Sequence, residues 1–340
     1  RDRLKAGVQY VVFNLVGSTL FLFALATVYS VTGTLNMADL AVKLPLLPQG
    51  DMALMRVAGA MLLMVFAIKG ALVPLHFWLP ATYAEAPGPV SALFAVMTKV
   101  GAYAVIRFST LVFPPDSAAI GSLVADLLTP AARATLTLGA IGVLGSHSLP
   151  RQVSFAASGS MGMLFLAVAA GTPAATSAAL YYLLHSTLAT AALFLIADLV
   201  AARRGGPGAQ SGLIAALFMA GAVAMAGMPP LSGFIGKLLV MDALRADAVW
   251  AWSAILLASL ATMIGFARMG SALFWSPQEP DRALAVPQDR GGIAAVLLCL
   301  AALVGLTVFA GPVTGWLDVA AENLHAPAAY ITANDLRGGT

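Results

Sequence analysis

Along this chain the apolar residues fall in long unbroken runs, and the polar positions gather in the short gaps between them. A helix needs about twenty apolar residues to cross the hydrocarbon core of a bilayer, so the pattern predicts an all-α, polytopic transmembrane bundle. The first run is Val8–Val31, and the second, Met55–Leu79, is interrupted at Pro74. Pro89–Val112 follows, then a shorter run at Ala131–Ser148, then Gln152–Gly171 and Ala174–Ala202 with almost no loop between them. A long stretch, Gly212–Leu244, is broken in its middle by Gly227-Met228-Pro229-Pro230, and Val249–Trp275 and Gly292–Trp316 close the series. The reading is therefore about nine spans. At roughly 1.5 Å per residue, Gly212–Leu244 is too long for one crossing. The double proline is expected to split it into two half-helices, or to kink it into a helix with an interfacial tail.

Composition supports this picture: 60% of residues are hydrophobic and 10% charged, and the mean hydropathy is +0.90. A soluble domain carries about 25% charged residues. The formal net charge of +3 is too small to suggest a nucleic-acid partner. The connectors Arg203–Ser211 and Ser276–Gly291 read as ordinary loops, residues 1–316 as the membrane domain and 317–340 as a C-terminal tail. With alternating sides, Arg1, Arg3, Lys5, Arg151, Arg203, Arg204, Arg282 and Arg290 share one face, and Lys43, Arg56, Arg133, Arg245 and Arg337 the other. The first face is richer, so positive-inside bias places it in the cytoplasm and the tail outside. Arg1, Arg3 and Lys5 precede an apolar run without a small-residue cleavage site, which reads as an internal stretch following a missing part.

Cys299 is the single cysteine, which leaves no internal disulfide, no Cys-based zinc site and no iron–sulfur cluster held by this chain alone. No phosphate-binding glycine loop occurs, and nothing places two of the histidines on facing helices to ligate haem. No cofactor is expected. The candidate chemistry lies instead in charges at membrane depth, which cost several kcal/mol and normally serve a purpose. Lys69 comes five residues before Pro74, where a proline frees a backbone carbonyl that such a lysine can bond. The bland alternative is a lysine that snorkels to the interface. Lys99 lies ten residues into its span, too deep for easy snorkelling, and Lys237 lies seven residues beyond Pro230. A helix break with a lysine thus occurs twice, a pattern that points to an ion path near the midplane. His185, beside Ser186, Thr187 and Thr190, is either a proton relay or a core histidine bonded to a neighbour. His76, just past Pro74, is either part of the same polar chain or an interfacial histidine, and His325 in the tail is assigned no role. Arg107 and Arg268 lie near span ends, Asp198 is expected to pair toward Arg203–Arg204, and no carboxylate occupies the middle of a span.

The stretch AIKGALVPLHFWLPATYAEAPGPVSALFAVMTKVGAYAVIR (67–107) resembles the signature of the antiporter-like membrane subunits shared by respiratory complex I and the Mrp (Mnh, Pha) cation/proton antiporters. LPRQVSFAASGSMGMLFL, LLHSTLATAALFLIADL, AGMPPLSGFIGKLLV and GFARMGSALFW agree in order, so the resemblance runs from Val8 to about Trp316. The likeness is greatest to the D-type members of the Mrp group. Ala189 stands four residues after His185, where complex I subunits usually have lysine, and Ala81 follows WLP, where the family often has aspartate. The resemblance implies a fourteen-helix inverted-repeat transporter fold of which these would be the last nine helices. It implies that Lys69 pairs with a glutamate on a preceding helix, that Lys99 and His185 carry a central polar path, and that Lys237 serves a second half-channel. It further implies a bacterial inner-membrane component of a multisubunit monovalent cation (Na⁺ or K⁺)/proton antiporter. The alternatives are a redox-driven proton-pumping subunit and a scaffold that mainly buries its partners.

Overall fold

The computed structural model describes residues 2–114, 122–202, 212–274 and 289–334. Arg1, the connector Arg203–Ser211, most of Ser276–Gly291 with Trp275 and Arg282, and the end of the tail with Arg337 lie outside the described residues. The chain forms α1 (Asp2–Thr32), α2 (Met37–Lys43), α3 (Gln49–Lys69), α4 (Trp78–Glu85) and α5 (Gly88–Arg107), which runs into a π-helical turn at Phe108–Val112. There follow α6 (Leu123–Gly145), α7 (Leu149–Ala169), α8 (Pro173–Ala202), α9 (Gly212–Ala226) and α10 (Ser232–Ala243). The described residues end with α11 (Ala248–Phe274), α12 (Arg290–Val308), α13 (Ala310–His325) and α14 (Ala328–Ala333). Among them, eight helices are long and apolar enough to cross a membrane, and α9 is a shorter apolar one.

The bundle is built around α7 and α8. In α7, 94% of the most apolar 18-residue stretch is buried, against 17% in α1. That helix carries Gln152, Ser154, Ser158 and Ser160 inward, which only a protein-facing helix can do at low cost. Glycines bring α6 and α7 into backbone contact: a Cβ on Gly162 would lie 2.4 Å from Leu136 N, and one on Gly139 would lie 2.5 Å from Gly159 Cα. Helix α8 touches α5, α7, α9, α10, α12 and α13.

Both expected breaks are present, and each begins upstream of its prolines. Helix α3 stops at Lys69 and α9 at Ala226. Each ends in a Schellman motif: Ala71 N bonds Ile68 O (3.1 Å) and Leu72 N bonds Ala67 O (2.9 Å), while Gly227 N bonds Ala224 O (3.0 Å) and Met228 N bonds Val223 O (3.1 Å). The motif needs a left-handed residue, and Ala71 (φ +52°) and Gly227 (φ +72°) supply it. Pro74, Pro229 and Pro230 then prevent the helix from resuming. Main-chain groups at the first break also find side-chain partners: Trp78 Nε1 donates to Ile68 O (3.0 Å) alongside Ala71 N, and Val73 N donates to Thr135 Oγ1 (2.9 Å).

Several boundaries differ from the sequence reading. Helix α6 begins at Leu123 rather than Ala131, because Pro130 is accommodated inside the helix. A short helix, α4, which ends at Glu85, fills the gap between the expected runs ending at Leu79 and starting at Pro89. The run Gly292–Trp316 divides at Phe309, where Pro312 denies the helix one N–H and crowds the carbonyl four residues back. The following α13 is laid on α8 by Ser177 Oγ to Asp318 Oδ1 (2.5 Å) and Thr176 Oγ1 to His325 Nε2 (2.9 Å). Asp198 accepts from Gly88 N (3.3 Å), which caps the start of α5 from across the bundle; its expected pairing toward Arg203–Arg204 lies outside the described residues.

Candidate functional site

Three of the expected groups lie on helices that pack together, α5 and α10 each against α8. Lys99 on α5 is 3% exposed, and His185 on α8 is 1% exposed. Lys237 on α10 is partly buried, its ammonium turned back into the second break. The three are near enough for His185 to feel the charges of both Lys237 and Lys99.

Lys99 Nζ has no hydrogen-bond partner among the described residues, and neither have the buried hydroxyls of Ser158 on α7 and Thr190 on α8. Helices α5, α7 and α8 pack on one another. A buried lysine together with buried, unpaired hydroxyls is costly in an apolar surround. The central region thus concentrates polar groups whose hydrogen-bonding capacity is unspent.

His185 bridges α8 to the second break. Its Nδ1 lies 2.9 Å from Ser232 Oγ at the start of α10, and its ring and the Ala224 carbonyl near the end of α9 both lie against Gly233. Gly233 allows this approach: a Cβ there would lie 2.3 Å from Ala224 O and 2.7 Å from His185 Nε2. Lys237, one turn further along α10, reaches back to the last residue of α9, where Nζ donates to Ala226 O (2.6 Å) and to Ser259 Oγ on α11 (2.7 Å). The Schellman motif leaves the Ala226 carbonyl free, and the lysine completes that helix end.

Lys69 behaves differently from the expectation. It is the last residue of α3, and its Nζ donates to Asn14 Oδ1 on α1 (2.6 Å) rather than to carbonyls freed by the break. The Trp78 indole already takes the Ile68 carbonyl, and at the other break it is Lys237 that makes a lysine–carbonyl contact. Lys69 nonetheless adjoins the helix of Lys99, because Gly101 on α5 packs against Phe66 O, Gly70 N and Lys69 Cβ. His76 is not drawn into the site. It stays within the first break, its ring tilted against Phe77 at 4.6 Å between centroids, with no hydrogen bond to Lys69, Lys99 or His185. Arg268 donates to Leu144 O at the end of α6 (3.2 Å), and Arg107 lies over the Tyr330 ring (4.8 Å).

Asn14, Ser232 and Ser259 join the site without being evident from the sequence pattern. Their signal is weak but present: each is a polar residue among apolar or small neighbours, in VVFNLVG, PPLSGF and LLASLA.

Comparison with known proteins follows the same outline. The family described as "NADH:quinone oxidoreductase/Mrp antiporter, TM" matches residues 1–265. The D subunit of the Na⁺/H⁺ antiporter of Bacillus subtilis (strain 168) is 37% identical over 97% of this chain and 68% of its own length. The D subunit of a probable K⁺/H⁺ antiporter of Rhizobium meliloti (strain 1021) is 34% identical over 96% of this chain and 68% of its own. Among solved structures, one polypeptide of the Mrp complex from Dietzia sp. DQ12-45-1b superposes with a TM-score of 0.84 at 26% identity, over 97% of this chain and 70% of that one. A polypeptide of respiratory complex I from Thermus thermophilus gives 0.80 at 27% identity, over 96% and 70%.

Proposed function

Since the chain belongs to the NADH:quinone oxidoreductase/Mrp antiporter transmembrane family, we propose that it is the proton-translocating subunit of a multisubunit monovalent cation/proton antiporter in a bacterial cell membrane. Protons move along Lys99, His185 and Lys237, with Lys69 as the group at the first break. The observation that carries this reading is a buried lysine and imidazole on packed helices, the imidazole joined to a helix break that also holds Lys237, with unpartnered buried hydroxyls on α7 and α8. Water bridging Lys99, Ser158 and Thr190 would satisfy those groups and supply a proton wire. Like charges along this path repel, so protonation of one group discourages protonation of the next, and a proton advances as its neighbour's departs. The partners are other subunits of the complex, the lipid bilayer, and Na⁺ or K⁺ as the counter-ion. The face bearing residue 1 is cytoplasmic and the C-terminal segment lies outside.

The test uses the complete gene with its neighbours in a host stripped of its own antiporters. Everted vesicles are energised, and a pH-sensitive dye follows the gradient as Na⁺, K⁺ or Li⁺ is added. Cation-triggered collapse in the wild type, lost in Lys237→Ala at an equal amount of assembled complex, is the expected result. An assembled complex without any cation response would favour the second reading, a redox-driven pump, which the likeness to complex I supports. Loss of assembly in both Lys69→Ala and Lys237→Ala would favour a scaffold.

A further inference from the structure

Beside Lys237 lies a cavity of about 30 Å³, walled by Leu136, Gly139, Ser160, Tyr182, Ser259 and Thr262 among others, and His185 does not line it. That is room for about one or two waters. Its α11 wall has a particular hydrogen-bond polarity. Ser259 Oγ donates its hydrogen to Ile255 O (2.8 Å), and Thr262 Oγ1 donates to Ala258 O (2.7 Å). Both hydroxyls have thus committed their protons to their own helix, and they offer the interior lone pairs only.

Lys237 meets this wall. An ammonium carries three N–H donors, of which one goes to Ala226 O and one to the Ser259 lone pair. The third remains for the cavity. A neutral amine would keep two hydrogens, enough for these two acceptors, and would turn a lone pair to the cavity, so only the ammonium gives the seat a donor.

We propose that Ser259 is a positioning residue that holds protonated Lys237 against a buried water seat between α6, α7 and α11, from which Lys237 exchanges its proton on a side that His185 does not reach. This rests on the reading of Lys237 as a proton carrier. It gives the second break two openings: His185 on one side and the α11 cavity on the other. The α11 wall of the seat offers acceptors only, while Ser160 and Tyr182 opposite bring hydroxyls that can also donate, so a water there can give its hydrogens to α11 and its oxygen to the Lys237 N–H.

Few other ionisable groups could produce the same pH response. Helix α8 presents His185, Tyr181 and Tyr182 to this region, α9 has no ionisable residue, and Lys99 acts through His185. On α11 the only one is Arg268, which is bonded to Leu144 O, and α12 carries Arg290 at its start and Cys299. Asp242 on α10 lies in its last turn against Arg245, Asp126 on α6 and Arg151 on α7 lie toward the helix starts, and Arg133 in the middle of α6 is paired with Asp247.

The experiment measures proton movement in everted vesicles against pH for the full complex carrying Ser259→Ala, Ser259→Thr, Thr262→Val or Lys237→Ala. Loss of an acceptor bonded to a charged group should move the half-maximal pH of Ser259→Ala acid by about one to two units, ten- to hundredfold in proton occupancy. Ser259→Thr keeps the hydroxyl and its bond to the carbonyl one turn back, so it should restore the wild-type profile. Thr262→Val leaves both partners of Lys237 in place and should slow transport at all pH values. A Ser259→Ala profile superimposed on wild type, or Ser259→Thr behaving like Ser259→Ala, would overturn the assignment. So would an unchanged rate in Thr262→Val, which also serves as the test if Ser259→Ala does not assemble. If Lys237→Ala itself transports normally, the underlying function falls; if it is inactive while the Ser259 profiles coincide, only the positioning role falls.

Discussion

A single methyl group at Gly227 should separate stability from transport. The residue sits at φ +72°, where an alanine costs about 1–2 kcal/mol. Its Cβ would lie 2.6 Å from both Lys237 Cδ and Cε, and 2.8 Å from Nζ. Ordinary carbon contacts are about 3.5–4.0 Å, so something must yield by about 1 Å. The backbone is held by the Schellman bonds at 3.0 and 3.1 Å, whereas the end of a lysine side chain moves easily. Lys237 therefore gives way, and a displacement of that size cannot preserve both its 2.6 Å bond to Ala226 O and its 2.7 Å bond to Ser259. Gly227→Ala should still assemble, with the temperature of half-loss of complex, read by size-exclusion after heating, lowered by a few degrees. Cation-triggered proton movement in vesicles should fall at least tenfold. The matched control is Ala71→Gly, at the equivalent place in the first break. There relief of the left-handed strain and the added chain entropy cancel to within about 1 kcal/mol, so stability and transport should both stay near wild type. Normal transport by Gly227→Ala at wild-type abundance would refute the argument that the lysine's seat matters.

Two further outcomes are expected. Asn14→Leu removes the acceptor of Lys69 and leaves its ammonium without that bond, so vesicle transport should drop severalfold, while Asn14→Gln, which keeps a carbonyl oxygen, should retain most of it. Burial depresses the His325 imidazole below its ordinary value, so the folded state favours the neutral ring. Its stabilising contribution is complete above the unfolded value of about 6.5 and is lost as pH falls from there toward the folded value. Protease resistance of α13 and α14 should accordingly weaken on acidification through that window. His325→Gln should flatten the dependence, and an equally steep response in that variant would contradict it.

The helical bundle is legible in the sequence because a bilayer-spanning run is a strong, local signal, and both breaks are legible because glycine and proline punctuate apolar runs. Where a helix ends is set by less visible means. The first break begins at an alanine in a left-handed conformation that no residue preference announces, and the prolines only prevent resumption. The start of α6 is hidden because Pro130 reads as a boundary yet lies inside the helix. The cationic residues of the site stand out in an apolar chain, but their partners do not. Asn14 lies 55 residues from Lys69, and Ser259 lies 22 residues from Lys237. Pairing at that separation is decided by how helices face each other, which one sequence does not encode locally. His76 shows the reverse: proximity in sequence to a break suggests a shared path, and the break's own turn holds it apart.

The contact between α6 and α7 bears on how the chain enters the bilayer. Alone in lipid, α7 would expose Gln152 and three serines to hydrocarbon, and its partition from the translocation channel would be poorly favoured. The connector to α6 is only Ser146-His147-Ser148, so the preceding helix is beside it as soon as α7 emerges. The glycines that let the two backbones touch thus also serve biogenesis. They make a hairpin of α6 and α7 the unit of insertion, delivering to the centre of the bundle a helix that could not have been placed there by itself.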